Sequence, residues 1–179
     1  KDLFLKTDFE KEIYDQIRVS ELVDSLAYLY SDLPYYILKK YFESSFNKSY
    51  DKLVAEKVFN ALGLKEITYS PLNKFDTIKI VPSEIDDYFR NQKLDGYVHD
   101  MGAAMQNGIG AHAGLFGNSE AVASIMQMYL QGGAYNGIQL LDSKTIASFN
   151  SCSYCSLGNR RGVGFDKPQL KGVHISTCG

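Results

Sequence analysis

The sequence predicts a mainly helical α+β protein, a helical lobe followed by the beginning of a sheet, and three observations predict it. Apolar residues recur at helical spacing in runs on both sides of residue 100. Between about Leu64 and Gly110 that period is lost, and Pro71, Pro82, Gly96, Gly102, Gly108 and Gly110 punctuate the chain. A stretch this long without periodicity is uncommon unless it wraps or lines something, so 64–117 reads as a wrapping loop and a candidate site wall. After Gly158 the text changes to short runs of strand character. Residues 1–157 are therefore read as the lobe and 158–179 as the first returning strands.

Each element has its own signal. Ile13, Ile17, Leu22 and Leu26, with acidic residues early in the run, predict a helix over 10–24. Ser31 or Asp32 would cap a second helix over 34–44, with Pro34 tolerated in its first turn. A third, over 50–62, starts at Ser49 or Asp51, carries Leu53, Val54, Val58, Ala61 and Leu62 on one face, and ends at Gly63. Within the wrapping stretch only Thr77-Ile-Lys-Ile-Val81 looks like a strand. Asn118 or Ser119 caps a helix over 119–131, with Val122, Ile125, Met126, Tyr129 and Leu130 as its core stripe and Gly132-Gly133 as its stop. Asp142-Ser143 opens a last helix over 143–150 with Ile146 and Phe149 inward. Arg161-Gly-Val-Gly-Phe165 and Val173-His-Ile-Ser-Thr177 are the two strands.

Composition narrows the function classes. At 179 residues and 20.1 kDa, with 45% apolar and 22% charged residues, the chain is long enough for one sizeable core. A net charge of -2 and a pI near 5.9 leave no basic footprint for nucleic acid. No apolar run approaches the ~18 residues of a spanning helix. The chain opens on Lys1 without a signal peptide, which points to a processed protein or an excised segment.

Most motif matches have plain explanations. Cys152-Ser-Tyr-Cys155 is a lone C-x-x-C without a second ligand pair, and reads as a loop with two thiols. His99, His112 and His174 show no metal-ligand spacing, so neither metal nor cofactor is expected. Gly108-Ile-Gly110-Ala-His112-Ala-Gly114 misses the dinucleotide fingerprint by one residue; its small residues permit close backbone approach instead. Ser45-Phe-Asn-Lys48 and Ser49-Tyr-Asp-Lys52 both match S-x-x-K, but they lie in a polar turn where helix capping accounts for them. Tyr30-Ser31-Asp32, at the head of a helix, could present a phenol and a hydrogen-bonding group to one cavity.

Three segments in order carry a family resemblance. Leu29-Tyr30-Ser31-Asp32-Leu33 resembles the Tyr-x-Asn motif of class C-type serine β-lactamases and their penicillin-binding and esterase relatives. Leu94-Asp-Gly-Tyr-Val-His99-Asp100 and Gly110-Ala-His112-Ala113-Gly114-Leu115-Phe116 resemble the Gly-x-Val-His-Asp and Gly-His-Ala-Gly-Leu-Phe stretches of one branch of that family. Ala61-Leu-Gly-Leu64 sits where the family has Pro-Leu-Gly-Met, and Arg160-Arg-Gly-Val-Gly-Phe-Asp-Lys167 resembles the strand after the helical lobe. The chain is also similar to the β-lactamase-like domain that follows a glycoside hydrolase family 3 domain in some bacterial two-domain proteins. It departs from the family in four ways. No fitting Ser-x-x-Lys precedes Tyr30, no Lys/His-Thr-Gly occurs, the Asn position holds Asp32, and Ala111 stands where the last segment usually has Gly.

The resemblance implies a β-lactamase/transpeptidase-like fold, with 1–179 as the middle of one such domain. It implies acyl-enzyme hydrolysis of a β-lactam, a D-amino-acid peptide or a small ester, with Tyr30 as proton shuttle. Asp32 would replace the substrate-contacting amide, pairing with lysine and repelling a substrate carboxylate. Ser31, His112, Ala113, Gly114, Leu115 and Phe116 would border the cleft. A small-molecule or peptidoglycan-derived substrate and export to the periplasm or cell envelope are implied too. With one active-site motif of three, the chain is expected to be inactive by itself and to self-associate through an uncovered apolar side. The alternative is a non-catalytic penicillin-binding-like module beside a β-N-acetylglucosaminidase-type glycosidase, and last comes a plain helical domain with chance matches.

Overall fold

A computed structural model describes residue 6 and residues 9–22 and 29–168. The chain divides into two compact units, Lys1–Leu22 with Ser31–Val122, and Val23–Tyr30 with Ala123–Gly179.

The first unit opens with α1 (Phe9–Val19). It stops short of the expected residue 24 because Ser20 turns back, its backbone N–H and its hydroxyl both donating to the Ile17 carbonyl. Helix α2 (Leu33–Phe46) has Asp32 at its N-cap and Pro34 in its first turn, and buries Tyr36 and Lys39. Helix α3 (Tyr50–Val54) runs into a π-helical turn at Ala55–Phe59. The wide turn adds a residue to the helical register, so Phe59 joins Leu53 and Leu62 in the core while Val54 and Val58 are only half-buried.

From Leu64 onward the chain is largely irregular, as the loss of periodicity predicts. Its regular pieces are β1 (Ile67–Thr68), β2 (Ile85–Asp86), β3 (Gln92–Lys93), α4 (Met101–Ala104) and β4 (Phe116–Gly117). Strands β1 and β4 pair antiparallel, as do β2 and β3. The expected strand at 77–81 is instead a 3-10 turn over Thr77–Lys79. Asp76 caps it by accepting the Ile78 amide, and Ile78 and Val81 stand exposed. Local capping outweighs β-propensity where no neighbouring strand is at hand.

The unit boundary falls within α5 (Ser119–Leu130). Asn118 caps this helix by accepting the Ala121 amide at 2.9 Å. Its buried face is not the predicted stripe: Ala121, Ser124 and Met128 are buried, whereas Val122, Met126 and Leu130 are exposed. The hydroxyl pair Ser124–Tyr135, 2.9 Å apart, turns the helix this way, since a buried serine needs such a partner. The hairpin β5 (Ala134–Tyr135) with β6 (Ile138–Gln139) follows. Asp142 caps α6 (Ser143–Asn150). Ile146 is half-buried, but Phe149 is exposed, contrary to expectation.

The predicted strand at 161–165 is a turn closed by Gly162 N–H to the Phe165 carbonyl, and Val163 N–H donates to Phe149. With glycines at 162 and 164 and no partner strand among the described residues, nothing holds it extended. The second predicted strand, 173–177, lies outside the described residues.

Candidate functional site

In the first unit the quoted segments converge on one acidic, aromatic cluster. Asp32 sits at the head of α2, yet its carboxylate makes no capping bond; Ser31 Oγ accepts the Leu33 amide instead, at 3.3 Å. Asp100 heads α4 and its Oδ1 accepts the Ala103 amide at 2.6 Å. The same Oδ1 lies 3.0 Å from His112 Nε2. A carboxylate only accepts, so Nε2 is the donor, and the buried Nδ1 has no partner among the described residues. One ligand atom from each of Asp32, Asp100 and His112 falls within 4.8 Å of the others. Spacing along the sequence did not foretell this grouping. A cation there would compete for an imidazole nitrogen and a carboxylate oxygen that already bond each other.

Tyr36 lies over this cluster, its ring edge-on to His112 at a centroid distance of 4.9 Å. Burial raises the pKa of its phenol, and the charges of Asp100 and Asp32 add to the rise, against the smaller opposite pull of the Gln106 side chain. Tyr36 therefore stays a neutral phenol rather than becoming a base. Gly102 makes room for it: a Cβ there would stand 1.8 Å from the Tyr36 hydroxyl. The glycine-rich segment serves the same close packing. At Gly114, which has φ +112, a Cβ would come within 2.3 Å of the Gly108 carbonyl oxygen. The buried Tyr69 hydroxyl donates to the Gly110 carbonyl at 3.0 Å. Gly114 is buried, Leu115 exposed, and Phe116 enters β4 opposite Thr68.

A clamp that sequence reasoning missed fixes Asp100. Arg90 Nε donates to buried Asp86 at 2.8 Å, while its other nitrogens donate to the Val98 and His99 carbonyls at 2.7 and 2.8 Å. Burial works to raise the Asp86 pKa, but Arg90 and the amides of Phe89, Arg90 and Tyr88 together hold it down to about 2. The guanidinium thereby ties the β2–β3 hairpin to the two residues preceding Asp100. The signal was a charged pair four apart in a loop, which reads as a solvated surface until its burial is known.

The S-x-x-K matches do not act as side-chain caps: Ser45 lies in the last turn of α2, and the Ser49 hydroxyl makes no bond to the α3 amides. Lys48 lies beyond the end of α2 and its ammonium pairs with Glu56, and Ser49 is the N-cap of α3.

The second unit holds Tyr30, 68% exposed, with the Arg161 guanidinium carbon 6.0 Å from its ring centroid. It also holds Cys152 and Cys155, which are joined as a disulfide with Cα atoms 5.6 Å apart. The expectation of two free thiols is thus corrected.

The arrangement is that of a penicillin-binding-protein-like fold. The octameric penicillin-binding protein homologue from Pyrococcus abyssi matches over 84% of this chain and 32% of its own, with TM-score 0.59 and 17% identity. In sequence, proteins provisionally named D-alanyl-D-alanine carboxypeptidase from Salmonella agona and Salmonella typhi are 34% identical over 134 residues, 68% of this chain. The matched stretch is 31% of each of those relatives, and no family model matches. The chain belongs to the serine β-lactamase and penicillin-binding-protein-like family, of which it spans a part.

Proposed function

We propose that this chain contributes to a serine acyl-transfer hydrolase of the envelope that acts on D-amino-acid peptides. The identity to carboxypeptidase-named relatives over 134 residues carries the reading. Tyr30 is the proton shuttle, exposed as a group that must reach substrate has to be. Asp32 contacts the reacting groups, and His112 with Ala113, Gly114, Leu115 and Phe116 forms the cleft wall. Serine attack on the peptide carbonyl gives an acyl-enzyme that water hydrolyses, which requires a serine activated by lysine. Among the described residues no hydrogen bond joins Ser45 to Lys48, whose ammonium pairs with Glu56, or Ser49 to Lys52. The chain alone is therefore silent.

Asp32 favours one refinement. It stands with Asp100 in a doubly acidic cluster, which disfavours a substrate carboxylate nearby unless lysine neutralises it. On this ground penicillins and D-alanyl-D-alanine peptides, which both carry such a carboxylate, need that lysine, whereas D-amino-acid amides and esters without one do not. The alternative is a non-catalytic penicillin-binding-like accessory module beside a glycosidase. Release of D-alanine from a D-alanyl-D-alanine peptide, with nitrocefin and p-nitrophenyl acetate in parallel, tests the reading. A protein carrying this chain together with a Ser-x-x-Lys segment should turn over and lose turnover in Tyr30→Phe. The isolated chain should not exceed buffer. Turnover by the isolated chain that disappears in Ser45→Ala would overturn the assignment of that serine, and unchanged turnover in Tyr30→Phe would overturn the shuttle.

A further inference from the structure

The second unit connects its disulfide to Tyr30 through a short chain of contacts. The Cys152–Cys155 bridge closes a ring of four residues that contains Tyr154. The Tyr154 carbonyl accepts the Leu157 amide at 3.0 Å and the Asn159 amide at 3.2 Å. Cys152 Sγ lies 3.2 Å from the Asn159 carbonyl oxygen, so the bridge itself touches the same residue. The Asn159 side-chain oxygen in turn accepts the Arg161 amide at 3.1 Å. On the far side, Gly162 and Val163 are fixed by backbone bonds to Phe165 and Phe149. Arg161 is thus held from both ends, and its guanidinium rests over the face of the Tyr30 ring. A cation within about 6 Å of an aromatic centroid is attracted to the ring face, which orients the phenol beneath it.

Both cysteines are half-buried, so a small thiol reaches the bridge. Exchange needs only that an attacking thiolate reach one sulfur, which a bridge that is not fully buried allows. Reduction by a dithiol is balanced: a reductant thiolate attacks one Sγ, the Cys152–Cys155 bond breaks, and the reductant's second thiol displaces the mixed disulfide. Two electrons and two protons pass to the cysteines, and the reductant leaves as its own disulfide. The ring then opens, Tyr154 gains backbone freedom, and the Asn159 anchor on Arg161 is loosened, while the Asp166 carboxylate still lies 3.9 Å from its guanidinium.

We propose that Arg161 is a positioning residue for Tyr30 and that the Cys152–Cys155 pair sets its hold, so that the oxidised protein presents an ordered phenol and the reduced protein a mobile one. The assignment of Tyr30 as the shuttle rests on the reading above; the coupling between bridge, Arg161 and ring does not.

The test uses the full chain with Cys178→Ser to remove the remaining thiol, tyrosines labelled with 13C at Cζ, and Tyr30 assigned by its loss in Tyr30→Phe. The Tyr30 resonance should shift and narrow on adding dithiothreitol, and Cys152→Ser/Cys155→Ser should reproduce the reduced position without reductant. Arg161→Gln should give one position in both redox states, and Arg161→Lys should restore part of the difference. The other twelve tyrosines report whether the fold survives. A Tyr30 resonance indifferent to reduction, or a redox response intact in Arg161→Gln, would overturn the proposal. So would collapse of all tyrosine dispersion on reduction, because the device needs the rest of the unit to stay folded. No turnover is required, so loss of the carboxypeptidase reading leaves this outcome untouched, and an unresponsive Tyr30 in an active enzyme removes only the coupling.

Discussion

Tyr30 and Asp32 are separated by one residue, yet they belong to two different physical settings. Asp32 stands in the first unit beside Asp100 and His112, beneath a buried phenol and a wall of small residues. Tyr30 stands in the second unit, largely exposed, with one cation over its ring and a disulfide loop behind that cation. The difference separates two ways of placing a polar group. In the first setting position is enforced by packing and by hydrogen bonds that water cannot replace, so a change there costs stability. In the second, position is set by a few surface contacts, so a change there costs orientation and little else.

The sharpest way to break this contrast is to hollow out the first setting. Leu94 is fully buried, and its backbone exchanges hydrogen bonds with Ser83 and Glu84 across the hairpin. Leu94→Ala should destabilise the chain by about 2–5 kcal/mol, the usual range for such a cavity. Urea denaturation measures it, and a loss below about 1 kcal/mol would mean that the region is not a core. Overpacking gives the next effect. Gly102→Ala forces the Tyr36 hydroxyl to move, and a cost of about 1–3 kcal/mol is expected. Combining it with Tyr36→Phe, which removes the hydroxyl in the way, should recover a substantial part of that loss.

A smaller effect is the acid limb of the stability curve. The folded pKa of Asp86 is depressed to about 2, against about 3.9 for a free aspartate. Its contribution is complete above the unfolded value and is lost as pH falls from about 4 towards 2. Thermal melts across that interval should show a falling Tm, and Asp86→Asn should flatten that part of the curve while lowering Tm at neutral pH. An unchanged slope in the variant would place the acid sensitivity elsewhere.

How much of this was legible follows the same division. Helix ends were readable where the cap is local chemistry: Asp142 and Asn118 cap their helices, and chain helicity stops before Gly63 and Gly132. The core face of α5 was not, because Ser124 is buried through a hydroxyl partner eleven residues away that no periodicity reveals. The strand expected at 77–81 failed for a related reason: β-branched residues favour a strand only where another strand is offered. His112 and Asp32 could be singled out because both fall in segments resembling the family. Asp100 falls in such a segment too, but its worth lies in meeting His112 across the fold, which no local pattern shows. Tyr36 was readable only as part of the helical run with Ile37, Lys40 and Tyr41, with nothing to mark it among thirteen tyrosines as the ring over this cluster. The Cys152–Cys155 pair was visible as spacing, but only the turn at Ser153 and Tyr154 between them brings the two side chains together.

The smallest expected stability effect sharpens the comparison most. Tyr30→Phe removes one hydroxyl from a residue that is 68% exposed and keeps the ring that Arg161 covers. Surface changes of this kind stay within about 0.5 kcal/mol. Tyr36→Phe removes the same atom from a residue that is 8% exposed and set against Asp100, Asp32 and His112. Its hydroxyl hydrogen-bonds the Gln106 side chain in a buried setting, and the loss of that bond is expected to cost about 1–2 kcal/mol. In a protein that carries the nucleophile segment, the order should invert for turnover. Tyr30→Phe loses the proton shuttle and falls by about 10²-fold or more, whereas Tyr36→Phe changes turnover only as far as it changes the fraction folded. Denaturant melts and D-alanine release on the two single variants and the double variant check both orders at once. If the two tyrosines rank the same way in stability and in turnover, the exposed phenol is not the reacting one, and the division between an enforced setting and a poised one fails.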